Sequence, residues 1–263
     1  MSESLRNIWT VTKREISGLF ASPVAYVFLV IFLLLLGFLT FSLGGFFERG
    51  QASLAEPFFY WHPWVYLFLV PAVGMRLWAE ERRQNTLELL LTMPIAPWHA
   101  IVGKFLASWL FLILALALTF PVVITVGRLG SPDYGAIFTS YIGSALLAGA
   151  FLAVTELTSA MTRNQIISFI VALVVCFGFI LCGFEPVTNL VQNSLGDGVV
   201  SLLRGLSTWY HFEAFKRGVI DFRDFLFFGS VIGFCLFTTS VVLRSSTRPW
   251  REFHQTAFLF AWP

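Results

Sequence analysis

The chain has 263 residues, of which 57% are hydrophobic and only 12% are charged, and its net charge is +2. A soluble domain carries about 25% charged residues, so this composition excludes a soluble globular fold of this length. It predicts an integral membrane protein instead. The small net charge gives no indication of nucleic-acid binding, and the 3 cysteines lack the spacing of a metal site or a disulfide framework.

The first predicted element covers residues 3–20. Its apolar residues recur at helical spacing, and Arg6, Lys13 and Arg14 fall on the other side. This pattern predicts an amphipathic helix lying on the inner surface of the membrane. The alternative is a disordered N-terminal segment.

Six stretches carry no charged residue: 16–47, 57–75, 105–127, 134–155, 164–184 and 225–243. Each is close to or above the ~20 apolar residues that a helix needs to cross a bilayer. The predicted spans are about 24–47, 57–77, 105–127, 136–158, 164–184 and 224–244. They predict an all-α fold in which residues 1–263 form a single transmembrane domain. Pro63 and Pro71 lie in the second span and predict that it is bent.

The connection between the second and third spans carries the most concentrated charge. With six spans both termini share one side, and most of the 17 lysine and arginine residues lie there, which predicts that this side is the cytoplasm. The connection, EERRQNTLELLLTMP from Glu80 to Pro94, is on the same side. Asn85 and Glu88 are spaced as in a capping box, and Pro94 ends the pattern. The apolar face consists of Leu87, Leu90 and Leu91. The pattern predicts a short helix that docks into a groove of a soluble partner, and the alternative is a stiff connecting loop.

Residues 185–224 have a different composition. They contain apolar and aromatic side chains but no charge-free stretch long enough to span a bilayer. Aromatic residues favour the membrane interface, so we predict one or two short re-entrant or interfacial helices on the outer side. An ordinary extracellular loop is the alternative.

Three ionisable residues lie in or near predicted spans. Glu156 is late in the fourth span, where an ionisable group is costly, and it either lines a translocation path or pairs with a neighbouring helix. His62 and His211 could bind a metal or shuttle protons, but they are far apart in sequence, which favours interfacial positions with satisfied hydrogen bonds. With no nucleophile–base pair and no metal spacing, an intramembrane enzyme is the weakest hypothesis and no metal site is predicted.

The charged run resembles the cytoplasmic loop of ABC-2-type ABC transporter permeases. In that family E-E-[RK]-x-x-x-T-L-E-L-L-L-[ST]-x-P is followed by a Gly-Lys pair, which is Gly103-Lys104 here. Further matching segments are Ser22-Pro23, Pro71-Ala72-Val73, Arg163-Asn164-Gln165-Ile166 and Tyr210-His211-Phe212-Glu213. Together they resemble the gliding-motility-type branch of these permeases, over nearly the whole chain to about residue 245.

The resemblance implies a type V exporter-like permease fold in the bacterial inner membrane. It implies pairing with a second copy or a paralogue, and a separate cytoplasmic ATPase subunit that binds ATP and Mg. The segment received by that ATPase, the coupling helix, would be roughly Thr86–Thr92. The implied coupling residues are Glu80, Glu81, Arg82, Thr86, Leu87, Glu88, Leu90, Leu91 and Pro94.

The sequence contains no G-x-x-x-x-G-K-[ST] motif, so we expect this chain to be non-catalytic and to bind no cofactor itself. The expected function is ATP-driven transport, as an exporter. The alternative is a complex that does mechanical work on an auxiliary envelope protein without moving a solute.

Overall fold

The computed structural model describes residues 3–46, 53–87, 96–195 and 197–245. Within these ranges every regular element is a helix. The helices of the first half are α1 Glu3–Ala21, α2 Pro23–Phe38, α3 His62–Gly74, α4 Arg76–Arg83, α5 Pro97–Ala117 and α6 Phe120–Leu129. Those of the second half are α7 Tyr134–Met161, α8 Gln165–Leu181, α9 Glu185–Leu195, α10 Asp197–Leu206, α11 Thr208–Lys216 and α12 Phe222–Ser245.

The first two helices meet at a serine–proline pair. The Ser22 hydroxyl accepts a hydrogen bond from the Val24 amide at 3.3 Å, and Pro23 occupies the first helical position, where its missing N–H costs nothing. The helix continues from α2 through a wider turn at Leu39–Leu43. This forms an apolar segment of 21 residues, Pro23–Leu43, which is long enough to cross a bilayer.

The predicted second span, 57–77, is not a single uninterrupted helix. A short 3₁₀ turn at Phe59–Trp61 leads into α3, which has 13 residues, and the chain breaks at Met75 before α4. Pro71 lacks the N–H that would bond within α3. At Gly74 a Cβ atom would lie 2.7 Å from the Thr155 methyl group of α7, so α3 can approach α7 this closely only with glycine there.

The predicted third span, 105–127, starts earlier and is broken. Its helix begins at Pro97 and is interrupted between α5 and α6, where Pro121 cannot donate to the preceding turn. Charge had placed the predicted start after Lys104, but that lysine lies within α5 and is only 4% exposed. Its ion pairs, described below, allow it to lie inside the helix.

Length and composition give four candidate membrane spans among the described residues. They are Pro23–Leu43, Pro97–Leu129, Tyr134–Met161 and Phe222–Ser245. A fifth results if Gln165–Leu181 and Glu185–Gln192, which meet at 65°, count as one broken span. The all-α fold and the multi-pass character are therefore confirmed. The predicted span at 57–77 is the one that falls short, because its helix ends at Gly74.

The core is organised around α7. This helix packs against α3, α4, α5, α8, α11 and α12. Within its most apolar 18-residue segment, 72% of the residues are buried. Small residues make the close contacts possible: a Cβ atom at Gly143 would lie 2.6 Å from Phe215 of α11. Glu156 and Ser159 near the C-terminal end of α7 are thereby surrounded by other helices.

Three short helices, α9, α10 and α11, separate α8 from α12, where the sequence predicted one or two. The third is well defined by its start and its packing. The Ser207 hydroxyl accepts from the Tyr210 amide at 3.3 Å, which caps α11. Phe212 and Phe215 are almost fully buried against the core, so α11 belongs to the body of the protein.

Candidate functional site

The charged run begins within α4. The start of α4 is held by a side chain from another helix. The Ser159 hydroxyl of α7 accepts hydrogen bonds from the Trp78 and Ala79 amides, both at 3.0 Å. It donates to the Met75 carbonyl at 2.8 Å. The first N–H groups of a helix have no partner within that helix, so Ser159 does what a capping residue would do from within the sequence. The start of α4 is therefore fixed to α7.

Glu156 lies one turn before Ser159 and makes a second link between the same helices. Its side chain is fully buried, and its Oε1 accepts a hydrogen bond from the Trp78 indole N–H at 2.9 Å. Its Oε2 has no hydrogen-bond partner among the described residues. Of the two alternatives for Glu156, contact with a neighbouring helix is observed, and a place on a translocation path stays a prediction.

Lys104 joins α5 to two further helices. Its ammonium group lies 2.8 Å from a Glu81 carboxylate oxygen and 3.4 Å from one of Glu15, and 5.3 Å from the centre of the Trp78 ring. The neighbouring Gly103 lets α1 lie against α5, because a Cβ atom there would be 2.7 Å from Val11. The Gly-Lys pair thus has a physical role: the glycine allows close contact and the lysine pairs across it.

Glu80 extends these contacts to α8. Its carboxylate pairs with Arg83 at 2.7 Å and accepts a hydrogen bond from the Gln165 side-chain amide. The bond from Arg83 is the main reason that the pKa of Glu80 lies below its ordinary value. Burial would raise the pKa of Glu15, but Lys104 and Arg14 outweigh burial, and that pKa is also lowered.

These contacts form one connected set, which we call the α4 network. Its members are Glu15, Trp78, Glu80, Glu81, Lys104, Glu156, Ser159 and Gln165. Through them the eight residues of α4 are bonded to α1, α5, α7 and α8. The sequence pointed to Glu80, Glu81 and Glu156. It gave Lys104 only as part of a matching pair, and it did not single out Ser159 or Trp78.

The predicted capping box joins Asn85 to Glu88, which lies outside the described residues, so that role of Asn85 stays a prediction. Asn85 has φ 57°, in the left-handed region that asparagine tolerates better than most residues. The Thr86 amide donates across it to the Glu81 carbonyl at 3.0 Å, which is the pattern that ends a helix. Asn85 therefore ends α4.

Leu87 is buried within the protein, whereas the sequence predicted it on a face that docks into a partner. Its side chain is 7% exposed and belongs to a buried cluster with Trp78, Ile101 and Leu243. It anchors the connection to the body of the protein. The accessible edge before it consists of Arg83, Gln84, Asn85 and Thr86, which are all exposed.

The remaining predicted residues of the connection are Glu88, Leu90, Leu91 and Pro94, which lie outside the described residues, as does most of Thr86–Thr92. Arg82 is described and is half-buried. Burial lowers the pKa of its guanidinium, and the nearby positive charge of Arg163 lowers it further. The end of α4 therefore lies close to the connection between α7 and α8.

The two histidines do not share a site. His62 is fully buried, with Nδ1 3.2 Å from the Phe58 carbonyl oxygen and Nε2 without a partner among the described residues, and its interfacial position stays a prediction. His211 Nδ1 lies 2.6 Å from Asp224 and its ring stacks on Phe227. No group of three or more potential metal ligands occurs in the described part of the chain.

Comparison with known families gives one match. A family model described as ABC-2 family transporter protein matches residues 48–243. This range contains every member of the α4 network except Glu15. No protein in the curated set matches the chain.

Proposed function

This chain belongs to the ABC-2 transporter family, and we propose that it is the permease subunit of an ATP-driven transporter whose ATPase is a separate cytoplasmic chain. Members of the family are membrane components of transporters, and the candidate spans support a multi-pass protein. The sequence contains no phosphate-binding P-loop motif, which supports placing ATP and Mg on the partner. Without ATP chemistry of its own, the chain needs a mechanical contact with that partner.

The α4 network is the observation that carries this proposal. A short helix followed by an exposed polar edge is bonded directly to α5, α7 and α8, and through Lys104 to α1. A force on the edge reaches α4, and α4 cannot shift without moving Ser159 and Glu156 of the central helix. Packed elements of this kind change position as units, so a displacement at the edge would be passed to the spans.

In this proposal the chain crosses the membrane six times and both termini are cytoplasmic. The second span runs through the 3₁₀ turn and α3, and α4 forms its charged cytoplasmic end. At 1.5 Å per residue the 13 residues of α3 cover only about 20 Å, so the 3₁₀ turn must complete the crossing. The lysine and arginine distribution supports this orientation, in a bacterial inner membrane.

The proposal also includes a second permease subunit, identical or paralogous, and outward transport. Large apolar side chains of α2 are exposed in the single chain: Val24, Tyr26, Val27, Val30, Ile31, Leu34, Leu35 and Phe38. Lipid or a second subunit must cover them. The gliding-motility-type branch rests on sequence resemblance, and so does the alternative, a complex that works on an envelope protein. The two differ in what stimulates the ATPase, a solute or the envelope protein.

The test is a Thr86→Arg substitution on the exposed edge. Because Thr86 is exposed and lies outside the network, we expect normal insertion but at least a tenfold loss of copurified ATPase and of coupled ATP hydrolysis in proteoliposomes. Ser201→Arg, at an exposed position of α10 on the opposite end, is the matched control. ATPase binding that survives Thr86→Arg unchanged would rule out this edge as the contact.

A further inference from the structure

An apolar groove opens beside the α4 network, between α1, α2 and the α3–α4 segment. Its volume is about 460 Å³, within the range of small-molecule sites. The apolar side chains that line it include Leu19, Val27, Phe28, Ile31, Leu69 and Val73. Val27 and Ile31 are 54% and 42% exposed, so the groove is open along α2. Such a surface fits a flexible hydrocarbon chain.

The polar end of the groove carries charge. It includes three carboxylates, and each is paired: Glu15 with Arg14 at 2.8 Å, Glu80 with Arg83 at 2.7 Å and Glu81 with Lys104 at 2.8 Å. Arg76 also lines this end and is exposed. It forms no hydrogen bond or ion pair with any residue in the described ranges. The surplus charge at the polar end is therefore the guanidinium of Arg76.

We propose that this groove binds an anionic phospholipid of the cytoplasmic leaflet, with its phosphate on Arg76 and an acyl chain along α2 and α3. A guanidinium presents paired donors that match phosphate oxygens. Basic pockets between transmembrane helices on the cytoplasmic side suit acidic headgroups. The leaflet follows from the orientation proposed above, but the lipid site needs no ATPase partner.

The groove has room for this ligand at its α1 side. A Cβ atom at Gly18 would meet nothing within 4 Å, although Gly18 lines the groove. A larger side chain there would fill space without colliding with the protein. Gly37 of α2 is equally open and does not line the groove, so the same substitution there is a matched control.

The first experiment measures lipid binding by native mass spectrometry of the full chain, taken from nanodiscs with equal phosphatidylglycerol and phosphatidylethanolamine. We expect preferential retention of phosphatidylglycerol. Arg76→Gln should reduce that retention about fivefold, the effect of one basic side chain beside an anionic lipid, and leave phosphatidylethanolamine unchanged. Arg128→Gln, an exposed arginine at the end of α6, should change neither. Equal retention by Arg76→Gln and wild type, or equal loss of both lipids, would overturn the proposal.

A second pair of variants tests the acyl-chain part. Gly18→Leu should reduce phosphatidylglycerol retention with Arg76 intact, whereas Gly37→Leu should not. A photoreactive residue at Val27 should then crosslink to lipid. Full retention in Gly18→Leu, or a crosslink from position 27 to polypeptide, would show that something other than a lipid occupies the groove and would overturn the assignment.

Discussion

The two ends of the molecule each bury a lysine, and they use it differently. Lys104 in the α4 network pairs with Glu81 of α4 and Glu15 of α1, so it joins three helices. Lys216 at the other end pairs with Glu213 of its own helix at 3.0 Å and with Glu56 at 3.4 Å. It also faces the rings of Tyr60 and Trp209. The first lysine joins three helices, and the second holds one helix against a loop.

The glutamates that pair with the two lysines also differ in their exposure to solvent. Glu81 and Glu15 are 19% and 23% exposed; Glu81 pairs with Lys104, and Glu15 pairs with both Lys104 and Arg14. Glu56 is 54% exposed and can turn to solvent if Lys216 is lost. The loss of the lysine should therefore destabilise the α4 end more than the Lys216 end.

The largest expected effect separates the two lysines directly. Lys104→Met removes the ion-pair partner of the partly buried Glu81 and leaves Glu15 with Arg14 alone, and we expect about 3 kcal/mol lower free energy of unfolding. Lys216→Met should cost about 1 kcal/mol, because its partners are more accessible. Thermal unfolding in detergent measures both. A Lys104→Met, Glu81→Gln double variant should recover part of the loss. Equal costs for the two lysines would contradict the contrast between the ends.

The next effect concerns Glu156, which could serve structure, transport or both. Glu156→Gln keeps an acceptor for the Trp78 indole and removes an ionisable group from a fully buried position, so stability should be unchanged or slightly higher. Glu156→Ala leaves that indole unpaired and should cost about 1–3 kcal/mol. If the glutamine variant folds normally but does not transport, Glu156 acts on the translocation path. If both variants transport normally once folded, its role is structural only.

The smallest expected effect is a response to acid. The pKa values of Glu15 and Glu80 in the folded protein lie below the ordinary 4.5. Their contribution to stability is therefore complete above about pH 4.5 and is lost as pH falls through the lowered values. Unfolding temperatures between pH 7 and pH 3 measure this. A Glu15→Gln, Glu80→Gln variant should show a flatter decline. An equally steep decline in that variant would place the acid sensitivity elsewhere.

Much of the fold could be predicted from charge and hydropathy, since lipid excludes charge and requires helices. The same rule failed at Lys104, because a charge paired across helices can lie inside one. It also did not show that the helix within 57–77 breaks at Met75, one residue after the close approach of Gly74 to α7. Sequence alone shows composition along the chain but not such contacts between distant residues.

The candidate site was only partly predictable for the same reason. Glu156 stands out in any sequence reading, since an ionisable group in a span is unusual. Ser159 does not, because serine is common in packed helices and its partners at residues 75–79 are distant in sequence. The prediction did not include the left-handed conformation in which Asn85 ends α4, because asparagine occurs both at helix starts and at helix ends. The Gly-Lys pair that follows the charged run in the family pattern was the one available signal for Lys104.

The most direct test of the central claim is a gentle-detergent pull-down of this chain from its native membranes, with copurifying proteins identified by mass spectrometry. We expect recovery of an ABC ATPase, together with a second permease chain if the complex is a heterodimer. Recovery of the chain as a stable protein with no ATPase in any preparation would contradict it.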